Sequence, residues 1–295
     1  MEQTILSVVS QKNQDLEYLV VDGGSTDESS AVLSKYSSRI AWSCSERDNG
    51  QYDAINKGFN KSTGEIMGWL NSSDLYLPWT LKVVEEIFSK YPEVDWISSL
   101  QKTVLTPSGS YASWNIHGFS ANKFASGFHG SATNANFIQQ ETCFWRRSLW
   151  EKIGGKISSQ YRYAGDFWLW SQFFQQAKCT GVDAPLAVFR FHEDQRSGHE
   201  KYLSEVTEIL REIQDPEKRA LYKPGCQNIE LRWRLNSSKQ GYTEWVMVKY
   251  FDDWYLDIIK FWDEFFDRIK WKLANLSYLP ISILKFIGRG FRRVK

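Results

Sequence analysis

The sequence predicts an α/β protein: a mostly parallel sheet with helices on both faces, followed by a helical C-terminal appendage. Three observations predict it. Short apolar runs alternate with helical patterns through residue 90, each helix short enough to be a crossover between strands. The first three runs each end in acids, at Asp22, at Glu46 to Asp48 and at Asp74. In a parallel sheet those strand ends share one edge, which is where open α/β folds place ligands.

The elements follow in order. Residues 2–11 set Ile5, Val8 and Val9 at helical spacing, so the sequence opens in a helix. Glu17 to Val21 reads as a strand that ends in Asp22-Gly23-Gly24-Ser25-Thr26-Asp27. Its glycines permit a sharp turn and close approach of a ligand to the backbone. A helix over 27–36 follows, capped by Ser25, Thr26 or Asp27. Ile40 to Cys44 is a second strand, and Tyr52 to Asn60 a helix. Ile66 to Leu70 is a short apolar run suited to a buried parallel strand, cut off by Asn71-Ser72-Ser73-Asp74. Pro78 opens a helix to Lys90, where its missing N–H is tolerated. Val94 to Ile97 is the next strand.

Between 100 and 136 the pattern weakens into a binding-face loop region with a hairpin turn at Thr106-Pro107-Ser108-Gly109. Residues 137–155 read as strand, bend and helix, stopped by Gly154-Gly155. A helix runs from Tyr163 to about Ala177 with Asp166 in its first turn, a position the helix dipole favours for an acid. Trp168 and Trp170 on it read as core. Pro185 to His192 is a strand that ends on a histidine. Each acid has a plain reading beside the functional one: Asp22, Asp48, Asp53 and Asp74 also suit turns or caps, and Glu141 beside Gln140 suits an internal hydrogen bond.

Composition sets limits. The 295 residues suffice for one large domain or a domain with an appendage, divided here as 1–200 and 201–295. At 42% hydrophobic and 24% charged the chain is globular, and its net charge of +1 offers no basic field for nucleic acid. Cys44, Cys143, Cys179 and Cys226 form no C-x-x-C pair and read as thiols of a reducing compartment, which predicts a cytoplasmic location. The 14 tryptophans mean a bulky core, sugar-stacking platforms or a membrane-facing surface.

Six segments taken together, VVDGGSTD (20–27), ERDNGQYDAINKG (46–58), EIMGWLNSSD (65–74), QQETCFWRRSLWEKIG (139–154), YAGDFWLW (163–170) and FRFH (189–192), resemble the family 2 nucleotide-sugar glycosyltransferases of GT-A fold. The resemblance covers roughly residues 2–200 and implies a Rossmann-like sheet and an inverting transfer of sugar from a nucleotide donor, UDP-sugar foremost, to a hydroxyl. It implies that Asp22, Gly23 and Ser25 lie against the donor nucleoside, with Asp48 and Asp53 lining that pocket. Asp74, with Ser73 beside it, corresponds to the metal-binding motif, and His192 to a histidine that joins the metal, Mn²⁺ or Mg²⁺. Asp166 resembles the general base, and Glu141 lies in the acceptor region. The chemistry suits these types: a divalent cation neutralises charge on a departing phosphate, and a carboxylate can take the proton of a hydroxyl acceptor.

Two departures are expected to matter. Ser73 stands where the family pattern usually has an acid. Family members also begin with a strand ahead of the helix that opens this sequence, so an N-terminally truncated sheet with a gap and unpaired edges is expected. A catalytically inactive relative that binds sugar or nucleotide, or docks on a membrane, is therefore the alternative reading.

The tail changes character. Ser197 to Gln214 is a helix. Trp245 to Lys272 reads as an aromatic helix, with Trp254, Ile258, Phe261, Phe265 and Ile269 at three- and four-residue steps. From Lys270 onward, seven basic residues from Lys270 to Lys295 meet no acid. Apolar and basic character together suit peripheral contact with the inner membrane face, and a carbohydrate or lipid-linked acceptor used in cell-surface polysaccharide or glycolipid synthesis.

Overall fold

The computed structural model describes residues 1–250 except 12, 14, 117, 131–135, 193–199, 223–227 and 236–242. Its elements are α1 (Glu2–Val9), β1 (Leu19–Asp22), α2 (Ser29–Tyr36), β2 (Trp42–Ser45), α3 (Gln51–Lys61), β3 (Ile66–Met67), β4 (Leu75–Tyr76) and α4 (Thr80–Lys90). Then follow β5 (Trp96–Ser99), β6 (Gln101–Leu105), β7 (Tyr111–Asn115), α5 (Ala121–Ala125), β8 (Phe144–Arg146), α6 (Arg147–Lys152) and α7 (Gly165–Gln176). The last are β9 (Cys179–Val182), β10 (Ala187–Arg190), α8 (Glu200–Ile213), α9 (Pro216–Arg219), β11 (Asn228–Leu235) and β12 (Thr243–Tyr250).

The α/β alternation holds, but the sheets are mixed rather than mostly parallel. A six-stranded sheet runs β12-β11-β9-β5-β8-β3, a four-stranded one β4-β10-β6-β7, and β1 and β2 pair as a separate parallel ribbon. β3 keeps only two residues of the expected strand and runs antiparallel to β8. Gly68 explains the tight approach there, because a Cβ would sit 2.9 Å from the Phe144 ring and 3.1 Å from the Cys143 carbonyl. β5 pairs antiparallel with β8 and parallel with β9. β9 went unread because it is four residues long and contains Gly181.

The C-terminal region departs from the helical reading. α8 follows the expected helix, but β11 and β12 form an antiparallel hairpin, and β11 extends the main sheet beside β9. The stretch from Trp245 starts in β12 because its apolar residues alternate: Trp245 is buried, and Met247 packs in the same core cluster. The aromatic pattern from 254 and the basic segment from Lys270 lie outside the described residues.

Helical spacing supplies the packing. Leu81, Val84, Ile87 and Phe88 of α4 are buried against the sheet, as are Val206, Ile209 and Ile213 of α8 in the main cluster. The tryptophans are largely core. Trp170 stacks on Trp96 with ring centroids 5.5 Å apart, and Trp96, Trp145 and Trp170 are all buried. Each such pair contributes roughly 0.5–1.5 kcal/mol beyond the area it buries. Cys44, Cys143 and Cys179 are free thiols. No helix among the described residues is long and apolar enough to cross a membrane.

β1 pairs along one edge with β2, and β3 along one edge with β8. Both strands line the same cavity of about 1580 Å³, so each has an edge without a ladder partner among the described residues. The Glu17 carboxylate, just ahead of β1, accepts the N–H groups of Thr63 and Gly64 at 2.6 and 3.1 Å and so ties β1 to the chain entering β3.

Candidate active site

That cavity continues past the strand ends into a polar basin. Asp22, Gly23, Ser25, Asp48, Ser73, Asp74, Glu141, Asp166 and His192 all line it. Of the residues singled out in the sequence, Asp53 does not. Its carboxylate turns back to accept the Asn49 N–H at 3.0 Å and faces Lys57 at 3.6 Å. An acid in the first turn of α3 meets the preceding loop more readily than the basin, which is the turn-and-cap reading.

At the end of β1 the Asp22 carboxylate accepts the Ser25 N–H at 3.0 Å and the hydroxyls of Ser25 and Ser45. Burial pushes its acid up, but the Ser25 and Ser45 hydroxyls and the Ser25 and Gly24 N–H groups outweigh it and hold it below the usual range. Asp48 meets this turn from the loop after β2. A Cβ on Gly23 would sit 2.5 Å from Asp48 Oδ2, so a side chain there would push the Asp48 carboxylate away from the turn. Asp48 Oδ1 accepts the Gly50 N–H at 2.8 Å, shaping the chain into α3.

Asp74 closes the turn between β3 and β4 and has no exposed surface. Its Oδ1 accepts the Arg190 N–H at 3.1 Å and its Oδ2 the Asn71 Nδ2 at 3.3 Å. α1 and β10 clamp the same turn: Thr4 donates to the Ser72 carbonyl at 2.7 Å, and the Arg190 guanidinium donates to the Ser73 carbonyl. Burial raises the Asp74 acid, opposed by the Arg190 N–H, Asn71 and the positive charges of Arg190 and His192. Glu141, 2% exposed, accepts from Gln139 Nε2 at 2.6 Å; burial first and the charge of Asp74 second push its acid up. Two buried carboxylates thus face each other electrostatically, while His192 stands exposed at the rim. No group of three or more His, Cys, Asp or Glu side chains able to hold a metal ion forms among the described residues.

Asp166 occupies the first turn of α7. Its Oδ1 accepts the Phe167 N–H at 2.8 Å and the Tyr52 hydroxyl at 3.3 Å. Burial pushes its acid up to about 6, against the Phe167 and Tyr52 hydrogen bonds, and the charge of Glu205 adds to the rise. A carboxylate poised near neutrality can accept a proton from a substrate hydroxyl.

Sequence reasoning missed three supports. Tyr52 donates to the Tyr163 carbonyl at 3.0 Å as well as to Asp166. Gln140 donates to the Trp69 carbonyl at 2.8 Å and accepts from Asn71 at 3.0 Å, tying the QQET segment to the Asp74 turn. Gln51 donates to the Asn71 carbonyl oxygen of the side chain at 2.6 Å. Tyr52 and Gln51 sit in the ERDNGQYDAINKG segment, which was the available signal.

Comparison with known proteins places the chain. The family model described as glycosyl transferase family 2 matches residues 1–154. An uncharacterized glycosyltransferase of Mycobacterium tuberculosis is 30% identical over 162 residues, covering 52% of this chain and 56% of the relative. One from Haemophilus influenzae is 22% identical over 231 residues, 72% of this chain and 67% of the relative. The chain spans about half the length of the M. tuberculosis relative. Among solved structures, S. aureus TarS 1-349 in complex with UDP-GlcNAc superposes with a TM-score of 0.56 at 14% identity, over 74% of this chain and 64% of that one. At that identity the likeness is one of fold.

Proposed function

The chain belongs to glycosyl transferase family 2, and on that premise we propose that it moves a sugar from a nucleotide-sugar donor to a hydroxyl acceptor with inversion. The observation that carries the reading is the convergence of Asp22, Asp48, Asp74, Glu141, His192 and Asp166 on one cavity, with Asp166 pushed to about 6. The nucleoside lies against the Asp22–Ser25 turn and Asp48. The acceptor oxygen attacks the anomeric carbon as its proton passes to Asp166 Oδ2. The bond from that carbon to the phosphate oxygen breaks, and the electron pair leaves with the nucleoside diphosphate. Glu141, kept protonated by burial, orients the acceptor by hydrogen bonding. One base and one displacement give inversion.

The donor set at the Asp74 turn fits Mn²⁺ or Mg²⁺: Asp74 and His192 would hold the ion, and water and phosphate oxygens would complete the shell. A carboxylate whose charge is disfavoured by burial gains most from a cation. When bound, the ion neutralises charge on the departing diphosphate. The nucleotide proposed is UDP, the one TarS carries in its complex with UDP-GlcNAc. The acceptor proposed is a carbohydrate or lipid-linked hydroxyl, reached at the inner membrane face through the basic segment from Lys270.

Ser73 favours a second reading, a protein that binds donor without turnover, since this turn offers one acid rather than two. Calorimetric titration of the 295-residue chain with UDP, with and without Mn²⁺, tests the first step. Metal-dependent binding supports the donor site, and GDP and dTDP follow if UDP is silent. Turnover then separates the two readings: binding without product from a panel of donor sugars favours the second.

A further inference from the structure

We infer that Glu205, on α8, is a positioning residue for Asp166, an inference that rests on the base reading above. Its carboxylate grips three consecutive backbone N–H groups on the chain entering α7. Oε1 accepts from Arg162 at 3.0 Å, and Oε2 accepts from Tyr163 at 2.8 Å and Ala164 at 2.7 Å. Ala164 is the N-cap residue of α7, and no side chain of its own caps that helix. A carboxylate at this end also sits at the positive end of the helix dipole, where charge-assisted hydrogen bonds are strong. Asp166 follows two residues later.

The same grip fixes the second partner of Asp166. The Tyr163 carbonyl, in one peptide plane with the Ala164 N–H that Glu205 holds, accepts the Tyr52 hydroxyl that also reaches Asp166 Oδ1. Gly165 permits this, because a Cβ there would sit 2.7 Å from the Tyr52 ring. α8 can serve as the anchor because Val206 and Ile209 bury beside Phe167 in the main cluster. Glu205 therefore transmits the position of a rigid helix to the loop that aims Asp166. It acts a second way, as a like charge that disfavours the ionised form of Asp166. The other titratable groups facing Asp166 are Tyr52 from α3, Tyr202 from α8, and Cys143. Glu205 lies beyond the 1–154 stretch that the family model matches.

The test uses the full chain labelled with ¹³C at the aspartate carboxyls, with the Asp166 signal assigned by its loss in Asp166→Asn. Glu205→Gln keeps an acceptor oxygen and removes the charge; Glu205→Ala removes both. In Glu205→Gln the titration midpoint of Asp166 should fall by about half a pH unit or more, because a like charge is gone. In Glu205→Ala the amides of Arg162, Tyr163 and Ala164 should exchange at least tenfold faster, with partial protection in Glu205→Gln. Turnover, followed as UDP release from UDP-GlcNAc or whichever donor the wild type uses, should drop in kcat about tenfold in Glu205→Ala with donor KM within twofold. An unmoved Asp166 midpoint overturns the proposal even if amide protection is lost, since that pattern describes a structural cap. Wild-type turnover in Asp166→Asn would instead sink the base assignment itself, and the two failures are distinct.

Discussion

Asp166→Asn should stabilise the fold at neutral pH while removing turnover. The carboxyl goes from an ordinary value of 3.8 to about 6, mainly through burial. At 1.36 kcal/mol per pH unit that is a cost of about 3 kcal/mol once the group is ionised in the folded state. Asp166 lines an open cavity and keeps part of its solvent contact, so screening reduces the figure to about 1.5 kcal/mol. The sign follows from the raised folded value. The contribution is fully favourable below 3.8 and is lost as pH rises through 6, leaving the ionised side chain as a penalty above it. Asparagine carries no charge and can still accept the Phe167 N–H through its own carbonyl. Calorimetric melting at pH 8 should therefore show the variant about 3–6 °C above wild type, at 2–4 °C per kcal/mol for a unit of this size. Below about pH 3.8, where both states hold the proton, the difference should shrink toward zero. A variant that melts lower at pH 8, or a gap that ignores pH, would refute a burial-raised carboxylate at this position.

Other predictions follow from the same geometry. The pH profile of kcat should show an acidic limb near pH 6, with about a tenfold fall by pH 5, as Asp166 takes up the proton that disables it as a base; a flat profile between 5 and 7 would exclude it. Asp74→Ala should abolish the Mn²⁺ dependence of UDP binding in calorimetry, and an unchanged dependence would remove Asp74 from the metal site. Gly165→Ala should cost about 1–3 kcal/mol and lower kcat, because its Cβ meets a rigid ring that cannot yield without leaving the Tyr163 carbonyl; wild-type melting and rate would show that the ring has room.

Much of the site was legible because strand ends collect on one edge. Asp22, Asp48 and Asp74 could be placed together from the alternation of runs and acids, whereas Asp166, which a helical first turn explains equally well, was singled out only by the family resemblance of its YAGDFWLW segment. Asp53 was not separable from them, since an acid three residues past Gly50 suits a loop cap and a pocket wall equally. Strand direction was not legible either. The run Ile66 to Leu70 announces burial but neither partner nor direction: β3 runs antiparallel to β8, and Gly68 just beyond it closes on Phe144. β12 was misread because its alternation lasts only a few residues before a stronger helical period begins at Trp254. Glu205 gave no signal, being one polar residue among several on an amphipathic helix whose partner lies 41 to 43 positions away.

The separate pairing of β1 with β2 has a consequence for how the molecule opens. Among the described residues no ladder joins this ribbon to the six-stranded sheet. It is held by a small cluster around Ile5, Val9 and Leu33, with Val20 and Tyr36 against it, and by α3, whose Gly58 lies against Val21. A segment secured by few side chains and no continuous backbone ladder opens locally at a lower free energy than the whole domain unfolds. Asp22, Gly23 and Ser25 ride on that ribbon, while Asp74 and Asp166 are tied to the larger sheets and to α7. A ligand that bridges the ribbon and the larger sheets should therefore suppress local opening of the ribbon. Amide exchange in β1 and β2 is where that coupling would register, well before any change in global melting.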